Sequence, residues 1–330
     1  MRILFMGTPD FALESLKAIY EKNYEIIGVV TNPDKPKGRG MKMIAPPVKE
    51  YAIEKNLKIY QPTKIRGNIE FIEEIKELNP DAICVVAYGK ILPKEILDIP
   101  KQGCINVHGS LLPKYRGAAP IQWAVLNGDK TTGITTMYMN EGMDTGDMIL
   151  KETVEIGEEE TTGELWERLS KIGGKLLVKT LEEIENGTAN REKQEEKDAS
   201  LAPMLDKKMA EIDWKNKTSK EIHNLVRGLN PIMGAYTFYN NKKIKLWKIE
   251  IINNEKMIEK GLEKEIDLEK LKEAEAGEIL LANSKKGLFI KTIDGIIEIL
   301  EIQGENAKRM KVHDFLLGNK LNCGDVLGIS

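Results

Sequence analysis

Through the first half of the chain, apolar runs of strand length alternate with segments of helical period. "RILFM" precedes helical spacing over 11–21, "YEIIGVVT" precedes a long loop and a helix over 47–55, and "LKIYQ" precedes 68–78. "AICVVAYG" and "GCINVH" come next, the second ahead of a helical stretch at 118–126, and "GITTMYM" and "DMILKETVEI" complete the series. Short apolar runs separated by helices predict an α/β domain with a mostly parallel, Rossmann-like sheet covered on both faces. Sheets of this kind hold ligands at the carboxyl ends of their strands. The amphipathic stretch "TTGELWERLSKIGGKLLVKTLEEIE" begins with a Thr-x-x-Glu able to form a capping box and is stopped by "NGT", which makes it the domain's closing helix.

At 330 residues and 41% hydrophobic, the chain has length and apolar content for two domains. The first spans 1–189, residues 190–205 are polar and broken by Pro, as expected of a linker, and the second runs over 206–330. After one more helical segment, "SKEIHNLVRGLNP", the second domain changes to hairpins around Asn240-Asn241 and Asp294-Gly295. Hairpins without helices between them predict a small antiparallel barrel. The Glu/Lys-rich stretch "NNEKMIEKGLEKEIDLEKLKEAEAGE" is expected to be a solvated insertion with some helix.

A formal net charge of −3 gives no global basic field, so an anionic partner must be held locally. From Asp206 onward, 22 basic residues face 20 acidic ones, against 27 and 32 in the rest, so the second domain is the better placed to meet an anion. Three scattered cysteines, Cys84, Cys104 and Cys323, imply neither a disulfide framework nor a metal cluster. The opening "MRILFMGTPD" is too short for a signal peptide and no apolar run approaches membrane-spanning length, which leads us to expect a soluble cytoplasmic protein, and nothing suggests more than a monomer.

"MGTPDF" lacks the spacing of a dinucleotide fingerprint and reads as a tight turn closing a strand into its helix. In "NPDKPKGRGMKMIAPP", Lys35, Lys37, Arg39 and Lys42 fall within a Gly- and Pro-broken loop after the second strand. A flexible basic loop at the carboxyl edge of a sheet suits contact with nucleic-acid phosphates. In "GCINVHGS", Asn106 and His108 are two apart in a strand and so share a face at its carboxyl end. An amide donor can stabilise an oxyanion forming on a carbonyl, and an imidazole can accept a proton from an attacking amine. Asp144, in the glycine-rich "MDTGDM" after a neighbouring strand, can orient His108 and favour its charged form. With no Ser or Cys nucleophile among them, these residues suit direct acyl transfer between two bound substrates. Cys104 shares the face of Asn106 but lies deeper, as core filler, and His223 and His313 lack metal spacing.

At these residues the chain resembles the methionyl-tRNA formyltransferase family. "SLLPKYRGAAPIQWA" is similar to its signature, "NPDKPKGRGMK" to its basic insertion loop, "GITTMYMNEGMDTGD" to its Asp segment and "IQGENAKRMKVHDFLLG" to the end of its C-terminal domain. The resemblance implies a formyltransferase fold at 1–189 and an OB-fold-like, tRNA-binding barrel at 206–330. It implies transfer of a formyl group from 10-formyltetrahydrofolate to the α-amino group of initiator methionyl-tRNA, for translation initiation, without a metal or a covalent enzyme intermediate. In that scheme Asn106, His108 and Asp144 are catalytic, Ser110, Leu111, Leu112 and Pro113 line the folate site with Ile91 and Leu92 as apolar wall, and Arg39, Lys37, Lys42, Lys207 and Lys208 meet the tRNA. The run Lys242, Lys243, Lys245 and Lys248 adds possible phosphate contacts. Two other readings stand beside it: a folate-dependent formyltransferase acting on a small amine such as a sugar nucleotide, and an RNA-binding protein whose polar pair is incidental.

Overall fold

The computed structural model describes residues 1–37, 41–266 and 268–328. The chain divides into two compact units, one comprising Met1–Ile121, Thr131–Ile156 and Glu164–Met204, the other Gln122–Lys130, Gly157–Gly163 and Leu205–Ser330.

The first unit begins with β1 (Arg2–Gly7), α1 (Asp10–Glu21), β2 (Glu25–Val30), the short β3 (Lys35–Lys37) and β4 (Lys42–Ile44), α2 (Pro47–Glu54), β5 (Ile59–Tyr60) and α3 (Ile69–Leu78). It continues with β6 (Ala82–Val86), α4 (Lys94–Leu97), β7 (Cys104–His108), β8 (Thr131–Tyr138), β9 (Met148–Glu155) and α6 (Thr162–Glu185, from Glu164 onward); α5 (Pro120–Leu126), between β7 and β8, belongs to the second unit from Gln122 onward. The sheet order is β5-β2-β1-β6-β7-β8-β9. The five strands from β5 to β7 are parallel, whereas β8 runs antiparallel to β7 and β9 to β8. The antiparallel return of β9 onto β8 follows from the link between them, a glycine-rich loop with no helix to carry the chain back. Gly7 ends β1 where a Cβ would lie 2.7 Å from that of Ala12 and 2.9 Å from the Val86 carbonyl, so "MGTPDF" is a packing turn of strand onto helix.

The basic segment, expected as a flexible loop, is a hairpin in which Lys35 pairs with Ile44 and Lys37 with Lys42. Arg39 lies outside the described residues. The expected linker differs more. Arg116 N–H donates to the Ser200 carbonyl at 2.8 Å, Ala202 N–H to the Arg116 carbonyl at 2.7 Å, and Met148 and Glu192 exchange backbone bonds at 2.8 and 2.9 Å. Polar residues 190–204 are therefore stitched along the first unit, because their backbone groups complete loops that would otherwise lack partners.

The second unit holds α7 (Ser219–Gly228), β10 (Ala235–Tyr239), β11 (Lys242–Ile252), α8 (Asn254–Glu259), α9 (Leu268–Glu273), β12 (Ile279–Asn283), β13 (Gly287–Lys291), β14 (Ile296–Gln303), β15 (Met310–Lys311) and α10 (Val312–Gly318). Thr218 and Glu221 form a full capping box at the start of α7. All sheet pairings are antiparallel, in the order β10-β11-β14-β13-β12, with β15 on β14. Asn240 and Asn241, both left-handed, turn β10 into β11. The C-terminal segment bridges the two edges: Leu327 N–H donates to the Gly277 carbonyl beside β12, and Gly328 N–H to the Phe238 carbonyl of β10, each at 2.9 Å. This covers edges that would otherwise stay open.

The Glu/Lys-rich insertion is more than solvated chain. Met257, Leu262 and Ile266 are buried with Ile252, Phe289 and Ile296 in a small core, and Lys260 Nζ reaches Glu298 at 2.6 Å and Glu250 at 3.0 Å. Leu262→Ala should therefore cost about 2–5 kcal/mol, the range for truncating a buried leucine. Urea denaturation followed by circular dichroism checks this, and a cost below about 0.5 kcal/mol, typical of surface sites, would mean that the insertion does not dock.

Candidate active site

Strand β7 emerges from Gly103, whose φ of 85° only glycine adopts without strain, and alternation then places Cys104, Asn106 and His108 on one face. Cys104 is buried among the strand's neighbours. Burial, with a smaller contribution from Asp98, pushes its thiol up to about 12, so it is not a nucleophile at neutral pH. Asn106 is half-buried between Val85 of β6 and Met137 of β8.

His108, at the end of the strand, is 5% exposed. Its Nε2 lies 2.9 Å from the Tyr115 carbonyl. A carbonyl only accepts, so Nε2 carries the proton, and in the neutral ring the lone pair sits on Nδ1. Nδ1 is 3.7 Å from Asp144 Oδ2, a separation that acts through the carboxylate's field and not through a direct hydrogen bond. The same Asp144 oxygen accepts from Gly117 N–H at 2.8 Å. His108 and Asp144 thus come together at the carboxyl end of β7, with Asn106 two residues back on the same face of the strand. Two partners that fix His108 and Asp144, the Tyr115 carbonyl and the Gly117 amide, are backbone groups with no side-chain signature.

The loop carrying Asp144 is tightly made. Asp144 has a φ of 53°, Asn140 Oδ1 accepts from Gly142 N–H at 3.0 Å and from Thr145 Oγ1 at 2.9 Å, and a Cβ on Gly146 would fall 1.7 Å from the Tyr138 carbonyl. Gln194, from the segment expected to be a linker, donates to the carbonyls of Asp144 and Gly146 at 2.8 Å each. Its Oε1 accepts from Arg116 Nε at 2.9 Å, and Arg116 Nη1 also pairs with Glu196 at 2.9 Å.

The segment Ser110–Pro113 is built into the sheet. Ser110 Oγ donates to the Lys114 carbonyl at 2.6 Å, Thr135 Oγ1 donates to the Ser110 carbonyl at 2.7 Å and accepts from Leu112 N–H at 3.1 Å, and Leu112 packs on Met137 and Met148. The side chains of Ser110 and Leu112 are consequently committed to the fold, while Leu111 and Pro113 keep accessible surface. Of the two expected wall residues, Ile91 is 84% exposed, whereas Leu92 is 3% exposed and packs in the core cluster.

At the carboxyl ends of β1, β2 and β6, Asn32 Nδ2 donates to Thr8 Oγ1 at 3.0 Å and to the Tyr88 carbonyl at 2.9 Å, and Gln61 Nε2 bonds the Asn32 carbonyl and Asp34 Oδ1. The Gln61 amide and then the Lys49 ammonium hold the Asp34 carboxyl below its usual range. This network anchors the base of the β3–β4 hairpin.

In the second unit Lys207 and Lys208 are exposed on a single 3₁₀ turn, Lys207–Ala210. Lys242 and Lys248 are also exposed, Lys243 stacks 3.8 Å over the Tyr236 ring, and Lys245 donates to the Met233 carbonyl at 2.7 Å. His223 is buried with Nε2 3.1 Å from Glu159, and burial lowers its basicity; His313 Nδ1 contacts the Ser284 carbonyl. Among the described residues no cluster of His, Cys, Asp or Glu is arranged to hold a metal, and no helix is long and apolar enough to cross a membrane.

Comparison with known proteins places this geometry in a family. Residues 1–181 match the formyl transferase family and residues 204–320 the formyl transferase C-terminal domain. A methionyl-tRNA formyltransferase of Clostridioides difficile is 51% identical over 99% of this chain and 100% of its own, and that of Ruminiclostridium cellulolyticum is 48% identical over the same shares. The fold also matches the solved N-formyltransferase of Helicobacter canadensis, in complex with folinic acid and dTDP-3-aminofucose, with a TM-score of 0.64 at 22% identity over 92% of this chain and 99% of that one. Carrying both domains of that family and matching such relatives over their whole length, the chain belongs to the methionyl-tRNA formyltransferase family.

Proposed function

We infer that this chain formylates methionyl-tRNA, and the observation that carries the inference is the end-to-end identity of 46–51% with relatives bearing that name. The formyl donor is 10-formyltetrahydrofolate and the acceptor is the α-amino group of the initiator methionyl-tRNA. The arrangement of Asn106, His108 and Asp144 supports direct transfer. The amine nitrogen attacks the formyl carbon, and the Asn106 amide donates to the oxyanion of the tetrahedral intermediate. With Nε2–H held by the Tyr115 carbonyl, Nδ1 of His108 receives the amine proton, and the Asp144 carboxylate 3.7 Å away stabilises the imidazolium that forms. That proton then goes to the leaving nitrogen as its bond to the formyl carbon breaks. Leu111, Pro113 and Ile91 supply accessible apolar surface for the folate, with Ser110 and Leu112 shaping the turn that presents it.

On the tRNA side, phosphate contacts come from Arg39, Lys37 and Lys42 of the basic sequence segment and from Lys207 and Lys208 of the second unit. Lys243 stacked on Tyr236 adds an ordered cation beside an aromatic face. The sugar-amine alternative draws only on neighbours near 22% identity, a likeness of fold and not of acceptor.

Asn106→Ala should lower the single-turnover rate of methionyl-tRNA formylation roughly 100-fold or more, as removal of an oxyanion donor does; a wild-type rate would remove Asn106 from the chemistry. Arg39→Ala should raise KM and lower kcat for methionyl-tRNA while leaving the KM for formyl-folate unchanged, and unaltered tRNA kinetics would take Arg39 out of substrate binding. Formylation assays offering charged initiator tRNA, uncharged tRNA, free methionine and a sugar-nucleotide amine in parallel test the acceptor, with product expected from the charged tRNA alone.

A further inference from the structure

We propose that Gln194, held in place by Arg116, is a positioning residue for Asp144. The proposal rests on the reading of Asp144 given above and extends it to a residue 50 positions away in a segment whose composition suggests a linker.

A side-chain amide has two N–H donors and one carbonyl acceptor, and Gln194 uses all three on one task. Its Nε2 bridges the Asp144 and Gly146 carbonyls, 2.8 Å from each, while its Oε1 receives the Nε–H of Arg116 at 2.9 Å. Gln194 Nε2 also lies 4.0 Å from Met137 Sδ, and Met137 stands opposite Asn106 in the β7–β8 register. Arg116 is itself 5% exposed and tied by Nη1 to both carboxylate oxygens of Glu196, at 2.9 and 3.1 Å, so the guanidinium cannot swing away from the amide.

The Asp144 loop needs such a clamp. A left-handed aspartate costs backbone energy of order 1–3 kcal/mol and persists only where surrounding contacts over-determine it. Gly146 lies against the Tyr138 carbonyl with no room for a side chain, so the loop has one tight path. Gly117 N–H holds the carboxylate from one side, and Gln194 holds the backbone of the same residue from the other. Loss of the second restraint leaves the carboxylate present but free to drift from His108, and misplacement by about 1 Å can cost up to roughly 100-fold in rate.

Methionine matches glutamine in length but donates nothing, so Gln194→Met removes the clamp with little change in volume. Steady-state formylation of methionyl-tRNA is measured with wild type, Gln194→Met, Asp144→Asn and the double variant, all full length and checked by circular dichroism. We expect Gln194→Met to lower kcat about 10- to 100-fold with KM for both substrates within about twofold. In the Asp144→Asn background the same change should cost less than about threefold, because residues acting as a unit are non-additive. A kcat within about twofold of wild type, a loss confined to KM, or the same loss with and without Asp144 would overturn the proposal. If Asp144→Asn alone kept full activity, the catalytic reading of Asp144 would fail first and the proposal with it. Should Gln194→Met not fold, Gln194→Glu runs the same cycle: it keeps the shape and the Arg116 contact but turns a carboxylate toward two carbonyl oxygens, and the same non-additive loss is expected.

Discussion

A histidine only 5% exposed at the end of a sheet strand must find an acceptor for its ring N–H within the protein, because an unmade hydrogen bond in the interior costs more than a made one returns. Much of the rim in the first unit is arranged around that requirement. The chain after β7 doubles back so that the Tyr115 carbonyl meets Nε2, and the left-handed turn at Tyr115, with a φ of 62°, aims it there. Two residues on, Gly117 presents its amide to Asp144; a Cβ at that position would fall 2.8 Å from the Ala202 carbonyl. Once the proton is fixed on Nε2, the remaining nitrogen faces the carboxylate. Which nitrogen keeps the free lone pair is thereby decided by a backbone group seven residues downstream.

The pairing of Asn106 with His108 was legible because strand alternation is a strong rule and because polar side chains in an apolar run stand out. Asp144 was legible as a carboxylate in a glycine-rich turn after the next strand. The contribution of residues 190–204 was not. A polar, proline-containing stretch has the same composition whether it wanders in solvent or seals a loop, and its contacts here are mostly backbone to backbone, which sequence does not encode locally. Leu92 was read like its neighbour for a different reason. It and Ile91 differ by one position, and one position decides between a core cluster and open surface, a choice that apolar character alone cannot make. The Glu/Lys-rich insertion hid its anchors in the same way, since Met257, Leu262 and Ile266 are few among many charges yet carry its docking.

Three non-glycine residues near the carboxyl edge of the sheet, Ala87, Tyr115 and Asp144, have left-handed backbones. Two of them are visibly over-determined. Tyr115 N–H donates to Ser200 Oγ at 2.9 Å, and Asp144 is gripped through its carbonyl by Gln194 and through its carboxylate by Gly117. Strain held in this way is the expected signature of a site whose geometry matters more than its local stability. The restraint on Tyr115, like that on Asp144, comes from the segment past α6, so this stretch reaches both sides of His108. Nothing in the structure explains the left-handed conformation of Ala87.

Side-chain amides recur at this edge. Asn32 bonds the Tyr88 carbonyl, Gln61 bonds the Asn32 carbonyl, and Gln194 bonds those of Asp144 and Gly146. Each ties one connecting segment to another. Lysine could also donate to carbonyls, and Lys90 does so at Pro62 and Thr63. Beside Asp144, however, an ammonium would compete with His108 for the field of the carboxylate, and charges a few ångströms apart in a poorly solvated site interact strongly. An amide supplies the same donors while remaining neutral at every working pH. The one fixed cation in that network, Arg116, is turned instead to Glu196, which neutralises it. Asp144 is left to act on the imidazole, and the loop that carries it is held by groups that do not titrate.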